Sequence, residues 1–167
     1  MPSLADSLGS LALFADLPPN ALAALVDTVR EERVEEGVWI LNEGDENADL
    51  FLILEGEVGL VRDEMEQAVM HAGMFFGEIS VLLDEPATAG VVARAPLRLA
   101  VIDRAELIPF LLDHATVTLR LLQAEARRIS DGHRSNLTAT AAPWAGRFSA
   151  VASTWTDGAT AANAASV

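Results

Sequence analysis

The spacing of apolar positions changes character twice along the chain. From Leu22, apolar residues recur at Leu25, Val26 and Val29, an i, i+3, i+4, i+7 repeat that predicts an amphipathic helix within residues 11–30. Pro18, Pro19 and Asn20 supply its start signal, with Asn20 as the expected N-cap. Acidic and arginine residues at 30–36 close the helix, and Gly37 turns the chain. From Val38 the period falls toward two. Short strands are expected at Val38–Leu41, Leu50–Leu54, Val58–Arg62 and Ala68–His71. Polar turns carrying Gly44, Asp45 and Gly56 separate the first three, and both glycines are expected at positive φ, which side chains resist. Two more strands follow, near Gly90–Ala93 and Leu97–Ile102.

The helical period then returns. Asp103-Arg104-Ala105-Glu106 resembles a capping box, with an acidic N-cap and a glutamate three residues on. One helix runs to about Asp113. A second carries Val117, Leu121, Leu122, Glu125, Arg128 and Ile129 near its repeat, with Arg127 and Arg128 placed favourably for the helix dipole and Gly132 as its end. Leu119, Leu122 and Ile129 form a stripe that serves either self-association or packing on the barrel; packing is the expected use. Residues 133–167 are rich in Ala, Thr, Ser and Gly, the composition of a segment with too little apolar surface to order itself. Trp144, Phe148 and Trp155 punctuate it, either incidentally or as a recognition segment that folds on a partner. The expected layout is an N-terminal lead over 1–10, a domain over 11–131, and a flexible tail over 132–167. It is mainly β with flanking helices, the strands closing into an antiparallel barrel or jelly roll.

Charge sharpens the picture. Eleven Lys and Arg face 25 Asp and Glu, a formal net charge of -14, and all eleven cations are arginine. Such a surface repels nucleic-acid phosphates and anionic lipid, so direct DNA binding is not expected. No apolar run reaches the ~18 residues of a membrane-spanning helix, and the first residues carry no basic region of a secretory signal. The absence of cysteine removes disulfides and thiolate chemistry. His71, His114 and His133 are scattered, with no metal-ligand spacing among them. The acidic cluster Glu43, Asp45, Glu46 and Asp49 lacks the EF-hand pattern and reads as a solvated turn. No nucleophile elbow or P-loop is present. No catalytic role and no required cofactor are expected.

Three signatures agree in order and spacing: Gly37 through Asp45; Asp49-Leu50-Phe51-Leu52-Ile53-Leu54-Glu55-Gly56-Glu57-Val58; and Phe76-Gly77-Glu78-Ile79-Ser80 running on to Asp84-Glu85-Pro86-Ala87-Thr88-Ala89. Together they resemble the cyclic-nucleotide-binding domains, of the Crp/Fnr type and the kinase-regulatory type, over about residues 11–131. The resemblance implies an antiparallel β-roll, a double-stranded jelly-roll barrel. The third signature looks like that family's phosphate-binding cassette. It implies a short helix over Glu78–Leu83, opened by Gly77, whose first amides and dipole suit an anion. It also implies that Glu78 accepts a hydrogen bond from a ribose 2′-hydroxyl and that Thr88 meets the phosphate or a purine edge. The bland readings are a chain-turning Gly77, an uninvolved Ser80 and a strand-type Thr88. Glu78, set before an apolar run, needs a partner or exposure.

One residue departs from that pattern. The arginine that clamps the cyclic phosphate in the family is replaced by Ala87. Losing such a charge-assisted pair typically costs about 2–5 kcal/mol, against about 1 kcal/mol from a helix terminus. Arg94 lies seven positions further on, about 23 Å along an extended strand and on the opposite face. Arg98 lies beyond Pro96 and a turn, Arg62 approaches only if its strand faces the pocket, and Arg127 or Arg128 would have to close over it as a lid. The resemblance thus implies a stand-alone, cytoplasmic regulatory or signal-transduction module that binds cyclic AMP or cyclic GMP weakly. The alternative is a ligand-free scaffold or adaptor. The Ala- and Thr-rich residues after 131 show no two-helix pattern, so the helix-turn-helix of many relatives is not expected within them. A protein partner is expected through the tail or the trailing helix.

Overall fold

The computed structural model describes residues 1–132. Two compact units divide it, Met1–Leu121 and Leu122–Val167, and of the second only the helical residues 122–132 are described. Residues 133–167, including His133 and the three tail aromatics, lie outside the described residues.

The first unit opens with helix α1, Leu4–Ser10, where no element is expected from apolar spacing. Its signal is a capping box: the Ser3 hydroxyl accepts from the Asp6 amide, and the Asp6 carboxylate accepts from Ser3. A 3-10 turn, Ala12–Phe14, and helix α2, Pro19–Thr28, follow. The helix expected over 11–30 is therefore shorter, and Pro18, not Asn20, occupies its N-cap, with Pro19 at the first helical position where its missing N–H is harmless.

Eight strands come next: β1 Arg30–Val34, β2 Trp39–Leu41, β3 Asp49–Glu55, β4 Glu57–Arg62, β5 Met65–His71, β6 Phe75–Phe76, β7 Gly90–Ala93 and β8 Leu97–Asp103. Helix α3, Glu78–Leu83, sits between β6 and β7, and α4, Arg104–Asp113, follows β8. Asp103 caps α4 by accepting from the Ala105 amide at 2.7 Å, as the sequence predicts. Residues 115–132 form a further helix, α5. The surprise is β1. Its charged residues, expected to end a helix, instead pair antiparallel with β8, Arg30 opposite Val101 and Val34 opposite Leu97.

The strands make two antiparallel four-stranded sheets, β1-β8-β3-β6 and β2-β7-β4-β5. Their facing sides bury one core, including Phe51, Ile53, Val58, Met70, Leu99 and Val101. Alternation sends Leu50, Leu52, Ala100 and Ile102 to the other face of the first sheet, where all four are also buried. Helix α4 packs on β3 and β8, and Phe110 meets Phe14 edge-on at 6.3 Å. Gly56 shows why the β3–β4 turn needs glycine: its φ is +89°, and a Cβ would lie 2.4 Å from the Pro96 carbonyl oxygen.

Candidate functional site

The Phe76-Gly77-Glu78 turn is set by the first sheet. Phe76 pairs with Phe51 across β6 and β3, and the two rings stack at 4.8 Å within 6° of parallel. Gly77 then takes φ +85°, a left-handed conformation. A Cβ there would sit 2.5 Å from the Asp49 carbonyl oxygen, so the position excludes every side chain. Gly77 is also the N-cap of α3 and offers no side chain to it. The helix spans the six residues expected and stops at Asp84, itself at φ 59°, whose amide donates to the Ser80 carbonyl at 2.9 Å. Arg104 pairs with the Asp84 carboxylate and ties this end of α3 to the start of α4.

Within α3, Glu78 and Ser80 are buried and Ile79 is half-buried. Glu78 is engaged within the chain. No buried side-chain oxygen or nitrogen among the described residues lacks a hydrogen-bond partner. The need that singles Glu78 out in the sequence is thus met inside the fold.

After α3 the chain returns beside the β2–β3 turn. The Ala87 amide donates to the Asp45 carbonyl at 2.8 Å, and the Gly44 amide donates to the Ala87 carbonyl at 2.7 Å. The acidic residues of this turn shape it. Asp45 accepts from the backbone and side-chain nitrogens of Asn42, at 3.2 and 2.9 Å. The Ala87 methyl, 6 % exposed, joins the inner core that holds Phe76 and Phe51. Thr88 is half-buried.

The arginines separate clearly. Arg94 bonds Glu66 across Gly59, on the outer side of the second sheet. Arg98 lies on the outer side of the first sheet, 4 % exposed, where it donates to both Glu31 oxygens, to Glu55, to the Ser7 hydroxyl and to the Pro2 carbonyl. The Glu31 hydrogen bonds hold the Arg98 pKa above its ordinary value, and the same contact holds the Glu31 carboxyl below the usual carboxylate range. Neither arginine serves the cassette.

Arg62 does reach it. Val58 and Leu60 face the inner core, so the two-residue period turns Arg62 to that same side at the end of β4. Its Nε donates to the Thr88 carbonyl at 3.0 Å. The alternation from Val58 is the signal that finds this residue in the sequence.

The trailing stripe departs from expectation. Leu119 is 53 % exposed and does not pack on the roll, because Val117 and Leu121, one helical turn apart, are the residues α5 buries. Leu122 and Ile129 are exposed too. Arg120 donates to the Ala15 carbonyl and to Asp16, anchoring the first turns of α5. His71 meets Glu57 at 3.2 Å and His114 Nδ1 lies 2.8 Å from the Phe110 carbonyl oxygen. Among the described residues no group of three or more acidic or histidine side chains is arranged to hold a metal, and no helix is long and apolar enough to cross a membrane.

Two antiparallel sheets closed on one core, with a glycine-opened helix between the sixth and seventh strands, define the double-stranded β-roll class. The family model described as cyclic nucleotide-binding domain matches residues 31–114, half of the chain, and the protein belongs to that family. A cAMP-dependent protein kinase regulatory subunit of Yarrowia lipolytica is 29 % identical over 111 residues, 66 % of this chain and 30 % of that protein. A cyclic nucleotide-binding domain from Methylobacillus flagellatus superposes with a TM-score of 0.71 at 28 % identity, covering 80 % of each chain. The catabolite activator protein of Thermus thermophilus has a TM-score of 0.66 at 23 % identity over 76 % of this chain and 62 % of its own, a likeness of fold. The chain thus spans under a third of the kinase subunit it matches.

Proposed function

We propose that this chain is a non-catalytic regulatory module that binds a cyclic nucleotide, cyclic AMP or cyclic GMP, at Phe76, Gly77, Glu78, Ile79, Ser80, Ala87 and Thr88. The observation that carries the reading is the family match over residues 31–114, a span that includes the proposed cassette. Supporting it, α3 is tied to α4 through Asp84 and Arg104. A ligand that binds one arrangement of α3 better than another would shift the population of both helices. A protein partner then reads the shift at α5, where Leu119 is exposed. No DNA contact enters the proposal, since a net charge of -14 opposes it.

A second reading, a ligand-free scaffold, is favoured by Ala87, whose methyl fills apolar core at the position where the resemblance implies a phosphate-binding guanidinium. Calorimetric titration with cyclic AMP and cyclic GMP separates the two. Measurable binding by the parent chain supports the sensor. Silence from the parent, with clear binding by a folded Ala87→Arg variant, sinks the sensor and leaves the scaffold.

A further inference from the structure

Arg62 stands apart from every other arginine of the first unit. Arg30, Arg33, Arg94, Arg98, Arg104 and Arg120 each pair with a carboxylate. Among the described residues Arg62 pairs with none, although the chain carries 25 acidic residues against 11 basic ones. It is nonetheless held in place. Its Nε is committed to the Thr88 carbonyl at 3.0 Å, which leaves both terminal nitrogens of the guanidinium as donors. Behind it, Asp63 and Glu64 form a two-residue hairpin turn at φ 51° and 61°, and the Asp63 amide donates to Glu43 at 3.2 Å. Arg62 therefore leaves the last position of a strand whose end is pinned on two sides.

We infer that Arg62 is the anion-binding arm of the site, presenting its terminal N–H groups to a phosphodiester lodged beside Thr88. The inference rests on the proposed cyclic-nucleotide reading and adds to it a residue from outside the cassette. A guanidinium matches two phosphate oxygens with two parallel N–H groups. The acidic residues beside it set the charge it accepts. Asp63, Glu64 and Glu43 repel an anion in proportion to its charge, so a cyclic monoanion is tolerated better than a dianionic or polyanionic nucleotide.

The test is calorimetry on the full chain and on Arg62→Ala and Arg62→Gln, with cyclic AMP, neutral adenosine and 5′-AMP as probes and thermal melting as a folding control. Glutamine keeps a donor for the Thr88 carbonyl and removes the charge. The expected result is a loss of about thirty-fold or more in cyclic AMP affinity for both variants. Adenosine affinity and melting temperature should stay unchanged, and the parent should prefer cyclic AMP to 5′-AMP. Cyclic AMP binding equal in parent and variants overturns the role of Arg62 and leaves the cyclic-nucleotide reading intact. Equal losses for cyclic AMP and adenosine, or a lowered melting temperature in Arg62→Gln, also overturn it, because they mark a structural arginine. No binding of any probe by the parent overturns both.

Discussion

The two sheets of the roll differ in what they leave exposed. Strands β3 and β8 of the first sheet are buried on both sides: their inner residues meet the second sheet, and their outer residues lie beneath helices. Its one outer arginine of low exposure, Arg98, is saturated by two carboxylates, a hydroxyl and a carbonyl. The second sheet carries Trp39, Met65 and Val69 exposed on its strands, and its Arg62 has a single carbonyl for a partner. A guanidinium with every donor used holds a fold together. One fixed at a single donor leaves its other N–H groups uncommitted, as the proposed anion contact requires. On that proposal, stability rests on Arg98 of the first sheet and the anion contact on Arg62 of the second.

The largest effect should come from breaking the Arg98 network. Arg98 joins β8 to α1 through Ser7, to β1 through Glu31 and to β3 through Glu55. Removing one partner of a buried ion pair typically costs about 3–5 kcal/mol. Here Glu31 and Glu55 are partly exposed and can rehydrate, so Arg98→Ala should cost about 2–3 kcal/mol in denaturant unfolding. An unchanged unfolding midpoint would remove the distinction between the two sheets.

The same contact predicts a response to acid. The Glu31 carboxyl is held below its ordinary 4.5 by the Arg98 hydrogen bonds. A carboxyl with a depressed folded-state pKa stabilises the fold above its unfolded value, and that contribution is lost as pH falls through the folded value. The parent should therefore lose stability below about pH 4.5, and Arg98→Ala should lose less over the same range, because its Glu31 no longer has the shift. Parallel curves of unfolding free energy against pH for the two proteins would count against the pairing.

What the sequence made legible follows the same division. Strands β3, β4, β7 and β8 declare themselves by apolar runs between glycine turns, and α3 by its glycine and its helix-forming residues. The short helix that the resemblance implies over Glu78–Leu83 is present, opened by Gly77. Strand β1 is different. Arg30-Glu31-Glu32-Arg33 has no apolar alternation to read, because it is an edge strand whose backbone is recruited by β8, 67 residues away. Helix α1 had a local signal in Ser3 and Asp6, but its stability comes from packing that no short window contains. The burial of Ala87 depends on how separate strands and turns come together, which no short window contains. The facing of Arg62 follows by counting in twos along β4, but only once the structure shows that Val58 points inward. The stripe on α5 misled because helical spacing alone does not say which of two apolar faces turns inward.

The smallest effect concerns the turn that presents Arg62. Asp63 and Glu64 both hold positive φ, a conformation that suits Asn-Gly and is costly for glutamate. Glu64→Gly should relieve that strain, offset in part by the greater freedom of glycine in the unfolded chain, for a net gain of about 0.5–1 kcal/mol in thermal unfolding. The same substitution removes one negative charge beside the arginine, so the preference for a monoanion over a dianion should narrow as the fold gains stability. A stabilised variant with unchanged preference would show that the hairpin serves only to end β4, and would leave Arg62 without its acidic filter.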